Sequence, residues 1–375
     1  MLSFSPNERI AILLHAAQGG GAERAMITVA NRLAAMGAPI DLLLTRRIGP
    51  LLDEISDSVN LIDLQAPQVR KALGALNRYV KETRPAVLMS ALPATDALAL
   101  IGKRLFRWPT RLVISVQNNP SATASGHSRF LEKHWPFLIR TLYPSADRTV
   151  AISRGVAEEL RKIWGAPNAD IPVINNPLDL DRIDRMRAEP ADLPWFSDGG
   201  PPVALAVGRL TPQKDYPTML RAFAEARAAG PMRLAIAGEG PDQADLEALA
   251  RELGVADDVA FLGFLGNPFA AMSAADMFVL SSRWEGFANV VAEAVRCGAR
   301  IVSTDCVSGP AEILQDGRWG QLTPVGDVSA FAQAMRRALT LEVDKAAMEA
   351  RAQDFEADAI AARYLDYLAA PRAAA

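Results

Sequence analysis

The amino-acid sequence predicts an α/β protein with two doubly wound, Rossmann-like domains, each built on a parallel sheet. Short apolar runs alternate with amphipathic helical patterns, and this alternation is typical of βαβ units. The alternation lapses between residues 188 and 202 and then starts again. The chain is 375 residues long, which exceeds what one hydrophobic core usually organises. We therefore expect two sheets that face each other across a cleft, with ligands bound at the carboxyl ends of their strands.

The predicted first domain spans residues 1–187. Its first strand is IAILLHAA, and a helix near Glu23 to Met36 follows it. The other strand candidates are short apolar runs, namely PIDLLLT, AVLMS, RLVISV, TVAI and VINNP. Helical patterns between the runs supply the crossover connections that a parallel sheet requires.

The predicted linker is the segment AEPADLPWFSDGGPP, residues 188–202, because its prolines and glycines interrupt both helix and strand. The predicted second domain spans residues 203–354. Its strand candidates are VALAVG, MRLAIAG, VAFLG, MFVLSS and ARIVSTD. Each is followed by helix-compatible sequence, such as ADLEALARELG or VSAFAQAMRRALT.

Charge is unevenly distributed along the chain. Residues 1–185 contain 23 Lys and Arg against 17 Asp and Glu, whereas the whole chain has a net charge of −3. A nucleic-acid-binding domain is usually far more basic, so we expect no nucleic-acid partner. Basic residues mixed with aromatic ones, as between Lys103 and Arg111, suit either peripheral contact with an anionic membrane or an ordinary solvated face.

The cysteines and the apolar segments favour a cytoplasmic location. Cys297 and Cys306 are the two cysteines, too few for a disulfide framework or a cysteine-based metal site. The amino terminus lacks the basic start and long apolar run of a secretory signal. The longest apolar stretch, residues 87–102, is shorter than the ~20 residues that span a bilayer. Any membrane contact is therefore expected to be peripheral, at the inner face of the cytoplasmic membrane.

The segment SSRWEGFANVVAEAVRCGARIVSTD carries the most informative pattern. Glu285 and Glu293 lie eight positions apart, which on a helix would direct both carboxylates into one cleft at different depths. Carboxylates at this spacing also occur on many solvated helices. The strand-turn-helix context favours a functional site, because the amides at the start of a helix attract anions. We expect a phosphate group at the turn formed by Gly286, Phe287, Ala288 and Asn289.

Two cations follow the first strand of the second domain. In VGRLTPQKDYPTML, Arg209 and Lys214 lie five positions apart. A diphosphate leaving group gains negative charge as a sugar departs, and nearby cations stabilise that charge most in the transition state. Arg can bind phosphate through two hydrogen bonds, whereas Lys acts as a point charge. The alternative interpretation is a pair of surface cations on a loop.

A glycine-rich loop follows the first strand and begins at His15. Gly19, Gly20 and Gly21 allow the backbone to approach a ligand closely, and Glu23 lies in the first turn of the next helix. A Rossmann dinucleotide site is the competing interpretation. It is disfavoured because Gly-x-Gly-x-x-Gly is absent and no acidic residue stands at the end of the second strand.

Together these motifs resemble the retaining glycosyltransferase family four, whose members have the two-domain GT-B fold. The resemblance covers roughly residues 9–340 and includes AISRGVAEEL, INNPLD, AGEGPDQADLEAL and FLGF. It implies that the first domain binds the acceptor and the second binds the donor. It also implies that a helix at about residues 355–370 crosses back to the first domain.

The resemblance also assigns roles to the motif residues. It implies that Glu285 contacts the transferred sugar and that Glu293 contacts the ribose of the nucleotide. The loop around Glu23 is implied to lie over the phosphates and the sugar of the donor. Backbone groups around the nucleobase are implied at Glu239, Gly240, Leu262 and Gly263.

One segment departs from the family pattern. Many members have a histidine after the strand that corresponds to RLVISV, near the reacting sugar, whereas this chain has Gln117 and Asn118. Their amides can orient a hydroxyl group of the donor or the acceptor but cannot act as a general base. His127 is a substitute candidate, and an ordinary loop histidine explains it as well.

The resemblance implies transfer of a hexose, a uronic acid or an N-acetylhexosamine from a nucleotide diphosphate sugar, with a UDP-sugar favoured. Asp-x-Asp does not follow a strand as in metal-dependent transferases, so we expect neither a metal nor another cofactor. We favour a lipid-linked saccharide or glycolipid as acceptor, because the first domain is basic and HWPFLIRTLYP mixes Trp135, Phe137 and Tyr143 with Arg140. A core helix explains that segment equally well.

Three other functions fit the same sequence. They are a transferase with a soluble acceptor, a nucleotide-sugar epimerase or hydrolase of the same fold, and a glycan-binding protein without activity. Release of nucleoside diphosphate that depends on an acceptor separates a transferase from the other two.

Overall fold

The computed structural model describes residues 9–126, 133–193, 195–196 and 198–369. The chain divides into two compact units. Unit 1 comprises the residues up to Pro177 together with those from Phe355 onwards, and unit 2 comprises Leu178–Asp354.

Unit 1 contains a six-stranded parallel sheet in the order β3-β2-β1-β4-β5-β6. The strands are β1 (Ile10–Leu14), β2 (Ile40–Leu44), β3 (Asn60–Asp63), β4 (Val87–Ser90), β5 (Arg111–Val116) and β6 (Arg148–Ala151). The α-helices are Gly21–Ala35, Leu73–Thr83, Pro93–Phe106, Pro120–Gly126, Trp135–Leu142, Arg154–Trp164 and Ala357–Ala369. The strand order reverses between β1 and β4, and open α/β sheets bind ligands beside such a reversal.

The helix Ala357–Ala369 completes unit 1. It packs against the helix Gly21–Ala35, where Ile360 and Leu368 enter the apolar core. The hydroxyl groups of Tyr364 and Ser115 are 3.1 Å apart, so the helix is also tied to β5. The helix Ala357–Ala369 therefore belongs to the same unit as the strands β1 to β6.

Unit 2 repeats the architecture, with a six-stranded parallel sheet in the order β12-β11-β10-β7-β8-β9. The strands are β7 (Val203–Val207), β8 (Arg233–Ala237), β9 (Val259–Gly263), β10 (Met277–Leu280), β11 (Ile301–Thr304) and β12 (Gln321–Thr323). The α-helices are Leu180–Arg187, Tyr216–Ala228, Gln243–Glu252, Pro268–Ala274, Asn289–Arg296, Pro310–Ile313, Val328–Ala338 and Lys345–Ala352. Here the order reverses between β7 and β10.

The boundary between the units lies earlier than the linker at residues 188–202. The helix Leu180–Arg187, assigned above to the first domain, packs in unit 2 against the helices Pro268–Ala274 and Asn289–Arg296. Its Asp184 accepts a hydrogen bond of 2.9 Å from Nε of Arg296. An ion pair with a largely buried guanidinium holds this helix on unit 2, and apolar periodicity alone does not reveal that partner.

The sheets differ from the sequence prediction in two short strands that were not predicted and in one predicted strand that does not form. β3 and β12 were missed because they are brief and only partly buried at the sheet edges. VINNP was predicted as a strand, but there Val173 forms only an isolated bridge with Ala151. A strand requires a continuous row of hydrogen bonds with a neighbouring strand, and this segment forms one isolated bridge.

Unit 1 exposes apolar side chains on two adjoining helices. Ile101 and Leu105 on the helix Pro93–Phe106 are 44% and 63% exposed, and Phe137 on the helix Trp135–Leu142 is 64% exposed. Arg104 Nη1 donates to the carbonyl oxygen of Thr141 and joins the two helices. Among the described residues, none of the helices combines the length and the apolar character needed to cross a bilayer.

The other aromatic residues of HWPFLIRTLYP lie in the core. Trp135 Nε1 donates to Tyr143 Oη at 3.0 Å, and Tyr143 Oη donates to Asp96 Oδ2 at 2.8 Å. Burial raises the pKa of the Asp96 carboxyl to about 7, and the Tyr143 hydrogen bond offsets this only in part. Of the three aromatic residues considered for membrane contact, only Phe137 is exposed.

We expect Asp96 to make unit 1 less stable as the pH rises. Its pKa is higher in the folded than in the unfolded chain, so the folded state binds more protons between about pH 4 and 7 and loses stability across that window. Asp96→Asn removes this dependence. Between pH 5.5 and 7.5 the unfolding free energy of the variant should gain about 2 kcal/mol on that of the wild type.

Urea denaturation at the two pH values measures this difference. Asp57→Asn, a change of an exposed carboxylate, serves as the control and should track the wild type. Parallel pH dependence of Asp96→Asn and the wild type would show that Asp96 is ionised throughout.

Candidate functional site

The carboxyl ends of β7 and β10 lie side by side at the strand-order reversal of unit 2. Gly208 and Arg209 follow β7, and residues 281–285 follow β10. The motifs that carry Arg209, Lys214 and Glu285 therefore converge on one edge of one sheet. This is the edge where α/β sheets bind ligands.

Glu285 is an almost fully buried carboxylate, with 6% exposure. Lys214 Nζ donates to its Oε1 at 2.6 Å, and Ser282 Oγ donates to the same atom at 2.6 Å. Within the described part of the chain, Oε2 accepts no hydrogen bond. The carboxylate is thus fixed through one oxygen and can accept from a ligand hydroxyl through the other.

Hydrogen bonds join the two loops that carry this pair. Ser281 Oγ donates to the carbonyl oxygen of Lys214 at 2.7 Å. Gln213 Nε2 donates to the carbonyl oxygen of Trp284 at 3.0 Å, and Arg283 N donates to the carbonyl oxygen of Gln213 at 2.8 Å. Each loop thereby fixes the other, and Lys214 and Glu285 are held in register.

Arg209 differs from Lys214 in its surroundings. It is exposed, and its guanidinium forms no hydrogen bond or ion pair with the residues that the structure describes. Lys214 uses one of its three N–H donors on Glu285, which leaves two. An anionic ligand can therefore bind to the guanidinium of Arg209 and to the two remaining N–H donors of Lys214.

The turn after Glu285 leads into the helix Asn289–Arg296, as expected from the sequence. Gly286, Phe287 and Ala288 are buried, and Ala288 adopts the left-handed conformation with φ of 67° just before the helix. Glu285 itself lies outside the helix. The helical spacing used above to relate Glu285 to Glu293 is therefore wrong, although Glu293 is on the helix and half-buried.

The loops after β7, β8 and β9 are in backbone contact. Leu210 N donates to the carbonyl oxygen of Glu239 at 2.9 Å, and Gly238 N donates to that of Gly263 at 2.7 Å. A side chain at Gly240 would approach the Leu210 carbonyl oxygen to 2.1 Å, so only glycine fits there. Leu262 and Gly263 end β9, and the next residue, Phe264, is exposed. Phe264, the last residue of FLGF, is an aromatic surface at this edge to which the sequence analysis assigned no role.

The glycine-rich loop of unit 1 lies after β1. Gly19 has φ of 92°, and Gly20 precedes the helix that begins at Gly21. Gly20 N donates to Glu23 Oε2 at 2.8 Å, so this carboxylate caps its own helix. The contact of Glu23 with a donor stays a prediction.

The amides after β5 are engaged inside unit 1. Gln117 is buried, and its Nε2 donates to Ser115 Oγ at 3.0 Å. Asn118 Oδ1 accepts from Asn119 N at 3.0 Å. The amide nitrogen of Gln117 is directed to the core, which weakens its assignment as a sugar-orienting group. His127 lies outside the described residues.

Two ionisable groups near Glu285 are held neutral. Burial, assisted by the charge of Glu285, raises the pKa of the Tyr216 hydroxyl and of the Cys306 thiol. Tyr216 Oη donates to the carbonyl oxygen of Gly208 at 2.9 Å. Neither group supplies a nucleophile at neutral pH. Among the described residues, no group of His, Cys, Asp and Glu has the geometry of a metal site.

Comparison with known proteins identifies the family. Residues 19–182 match the model described as Glycosyltransferase Family 4, and residues 192–355 match the model described as Glycosyl transferases group 1. The chain belongs to glycosyltransferase family 4. As a family 4 glycosyltransferase it is an enzyme, and its two parallel-sheet units are those of the GT-B fold.

Two relatives match this family 4 glycosyltransferase over nearly its whole length. It is 28% identical to N-acetylgalactosamine-N,N'-diacetylbacillosaminyl-diphospho-undecaprenol 4-alpha-N-acetylgalactosaminyltransferase from Campylobacter jejuni, over 96% of this chain and 99% of the relative. It is 27% identical to the lipopolysaccharide core biosynthesis glycosyltransferase LpsE from Rhizobium meliloti, over 95% and 97%. The structure of Anabaena HepE in complex with UDP and glucose has a TM-score of 0.77 at 20% identity, over 96% and 99%.

Lys214→Met tests how much the ion pair with Glu285 contributes to the stability of the family 4 glycosyltransferase. Removal of the cation leaves a buried carboxylate held by Ser282 alone. Because Lys214 keeps some exposure, we expect a loss of about 2–3 kcal/mol in unfolding free energy, at the low end for a broken buried pair. Adding Glu285→Gln should restore most of it.

Urea denaturation of the single and double variants measures this coupling. Arg209→Met, at the exposed neighbouring cation, is the matched control and should change stability by less than about 0.5 kcal/mol. Equal stability of Lys214→Met and the double variant would mean that the unpaired carboxylate of Glu285 does not cause the loss.

Proposed function

We propose that the chain is a retaining glycosyltransferase that moves a sugar from a UDP-sugar to a lipid-linked saccharide or glycolipid without a catalytic metal. The proposal depends chiefly on one observation. Arg209, Lys214 and Glu285 stand at the adjacent carboxyl ends of β7 and β10. Two cations beside a carboxylate with an open oxygen suit a diphosphate joined to a polyhydroxylated sugar.

The donor is assigned from the chemistry of this edge. Arg209 and Lys214 pair with the diphosphate, and Glu285 Oε2 accepts from a hydroxyl group of the sugar. Phe264 offers an apolar aromatic surface for the base at the end of β9. UDP is favoured because the similar fold of HepE was solved with UDP and glucose.

Transfer breaks one bond and forms one on the same face of the sugar. The bond between the anomeric carbon and the phosphate oxygen breaks, and the sugar becomes oxocarbenium-like. The acceptor oxygen then bonds to the anomeric carbon, and its proton passes to the departing phosphate oxygen. Charge grows on the diphosphate, where the two cations stabilise it more in the transition state than in the ground state.

Arg209→Ala should lower kcat about 10²–10³-fold, because loss of a preorganised charge partner costs that much in comparable sites. Arg227→Ala is the matched control, since it removes a cation from a helix of unit 2 that is paired with Asp258. Release of UDP that depends on acceptor, measured by a coupled assay, is the readout.

Three results of this assay would count against the proposal. An unchanged rate in Arg209→Ala would remove its assigned role. Loss of activity in EDTA that Mn²⁺ restores would refute metal independence. Release of UDP without any acceptor would indicate a hydrolase or an epimerase instead.

The acceptor is assigned from the relatives and from the exposed surface of unit 1. One relative is named for a diphospho-undecaprenol substrate and another for lipopolysaccharide core synthesis. Lipid-linked acceptors require that the enzyme reach a membrane surface. The apolar-basic surface, defined by Ile101, Arg104, Leu105, Phe137 and Arg140, meets that requirement.

The charge of the apolar-basic surface matches an anionic bilayer. Lys133 and Arg107 flank it and are exposed. Within residues 93–107 and 133–144 the one carboxylate is Asp96, which is buried. Apolar side chains can enter the headgroup region while the cations pair with lipid phosphates, each contributing about 1 kcal/mol.

The protein should float with vesicles containing phosphatidylglycerol and not with phosphatidylcholine alone. Leu105→Ser with Phe137→Ser should reduce bound protein several-fold, because the buried apolar area is lost. Leu341→Ser, at a leucine of unit 2 that is 46% exposed, should bind as the wild type does. Absence of flotation, or equal loss in the control, would favour a soluble acceptor.

A further inference from the structure

His15 occupies the strand-order reversal of unit 1. It is the first residue after β1, the strand that lies between β2 and β4 in the sheet. The glycine-rich loop at residues 19–21 follows directly. Its side chain is half-buried, so part of it is accessible. The family motif begins at this residue, but the proposed function gives it no role.

The hydroxyl group of Thr45 contacts both the backbone and the ring of His15. Thr45 Oγ1 lies 3.0 Å from the carbonyl oxygen of His15 and 2.6 Å from Nδ1 of the ring. The carbonyl oxygen of His15 also accepts from Arg46 N at 3.0 Å, and the single hydroxyl proton of Thr45 goes either to this oxygen or to Nδ1. When the Thr45 proton goes to the carbonyl oxygen, Nδ1 donates to Thr45 and carries the ring proton. In that tautomer Nε2 has a lone pair.

The charge state follows from the surroundings. Burial, together with the nearby cation of Arg46, lowers the pKa of His15 below its ordinary value. The ring is consequently neutral at pH 7. Within the part of the chain that the structure describes, Nε2 has no hydrogen-bond partner. A neutral ring whose Nε2 is open thus stands at the edge where such sheets bind ligands.

We propose that Nδ1 of His15 carries the ring proton and that Nε2 accepts a hydrogen bond from a hydroxyl group of a sugar substrate. This deepens the proposed function and rests on it, since it names a positioning group for one of the two sugars. A lone pair on a neutral ring attracts an O–H donor and repels the ionised oxygens of a diphosphate. The acceptor atom of Gln117, the residue considered for this task, is Oε1, and this atom is buried, whereas the His15 side chain is partly accessible.

Two substitutions separate the two ring nitrogens. In His15→Asn, the amide nitrogen takes the place of Nδ1 and can still donate to Thr45, but the distal acceptor is gone. In His15→Gln, the longer side chain places an amide oxygen near the former Nε2. Comparison of the two variants therefore distinguishes loss of the acceptor from loss of the local structure.

Kinetics of both variants test the assignment. His15→Asn should raise KM for one sugar substrate about 5- to 10-fold with kcat within about threefold, the usual effect of one lost hydrogen bond. His15→Gln should have a KM close to that of the wild type, and both variants should keep the wild-type Tm. A rise in KM for the nucleotide sugar identifies the donor, and a rise for the lipid-linked saccharide identifies the acceptor. Unchanged kinetics in His15→Asn, or equal damage in both variants, would overturn the assignment.

An NMR experiment tests His15 independently of turnover. In ¹⁵N-histidine-labelled protein, the His15 resonances are those missing from His15→Asn. We expect a protonated Nδ1 and a bare Nε2, whose shift moves when UDP-glucose, UDP-galactose or their N-acetylated counterparts, or undecaprenyl-diphospho-N-acetylglucosamine, is added. A protonated Nε2, or no response to any of these, would contradict the proposal. If the wild type lacks activity that depends on an acceptor, the proposed function fails while this experiment still decides on His15.

Discussion

The contact between Lys214 and Glu285 organises the candidate site of unit 2. A carboxylate can stay buried only if charged and polar partners compensate it, and here Lys214 and Ser282 do so through one oxygen. That arrangement leaves the second oxygen open and holds two loops together across the neighbouring strands β7 and β10. The exposed Arg209 then adds a cation without a partner among the described residues. The three charged groups of the candidate site therefore lie at one edge of one sheet.

Much of the architecture could be predicted from the sequence. Buried strands such as β1 and β10 are continuous apolar runs bounded by turns, so their positions and the parallel arrangement followed from pattern alone. The edge strands β3 and β12 were missed because half-buried strands carry little apolar signal. The helix Leu180–Arg187 was placed in the wrong unit, since its ion pair with Arg296 links residues that are distant in sequence.

The candidate site was predictable in its residues but not in its contacts. The motifs identified Arg209, Lys214 and Glu285, and the structure places all three at one sheet edge. Sequence spacing suggested a helical relation between Glu285 and Glu293, yet the helix begins only at Asn289. The role of Ser282 depends on one hydrogen bond within a loop, and the surroundings of His15 depend on contacts with Thr45 after the next strand, and no periodicity encodes them.

The central claim is that the diphosphate of the donor binds at the carboxyl ends of β7 and β10. A crystal structure with bound UDP tests it most directly. We predict diphosphate oxygens within about 3 Å of the Arg209 guanidinium and of Lys214 Nζ, beside Gly286. UDP bound at any other edge, or with both cations out of reach, would contradict the account.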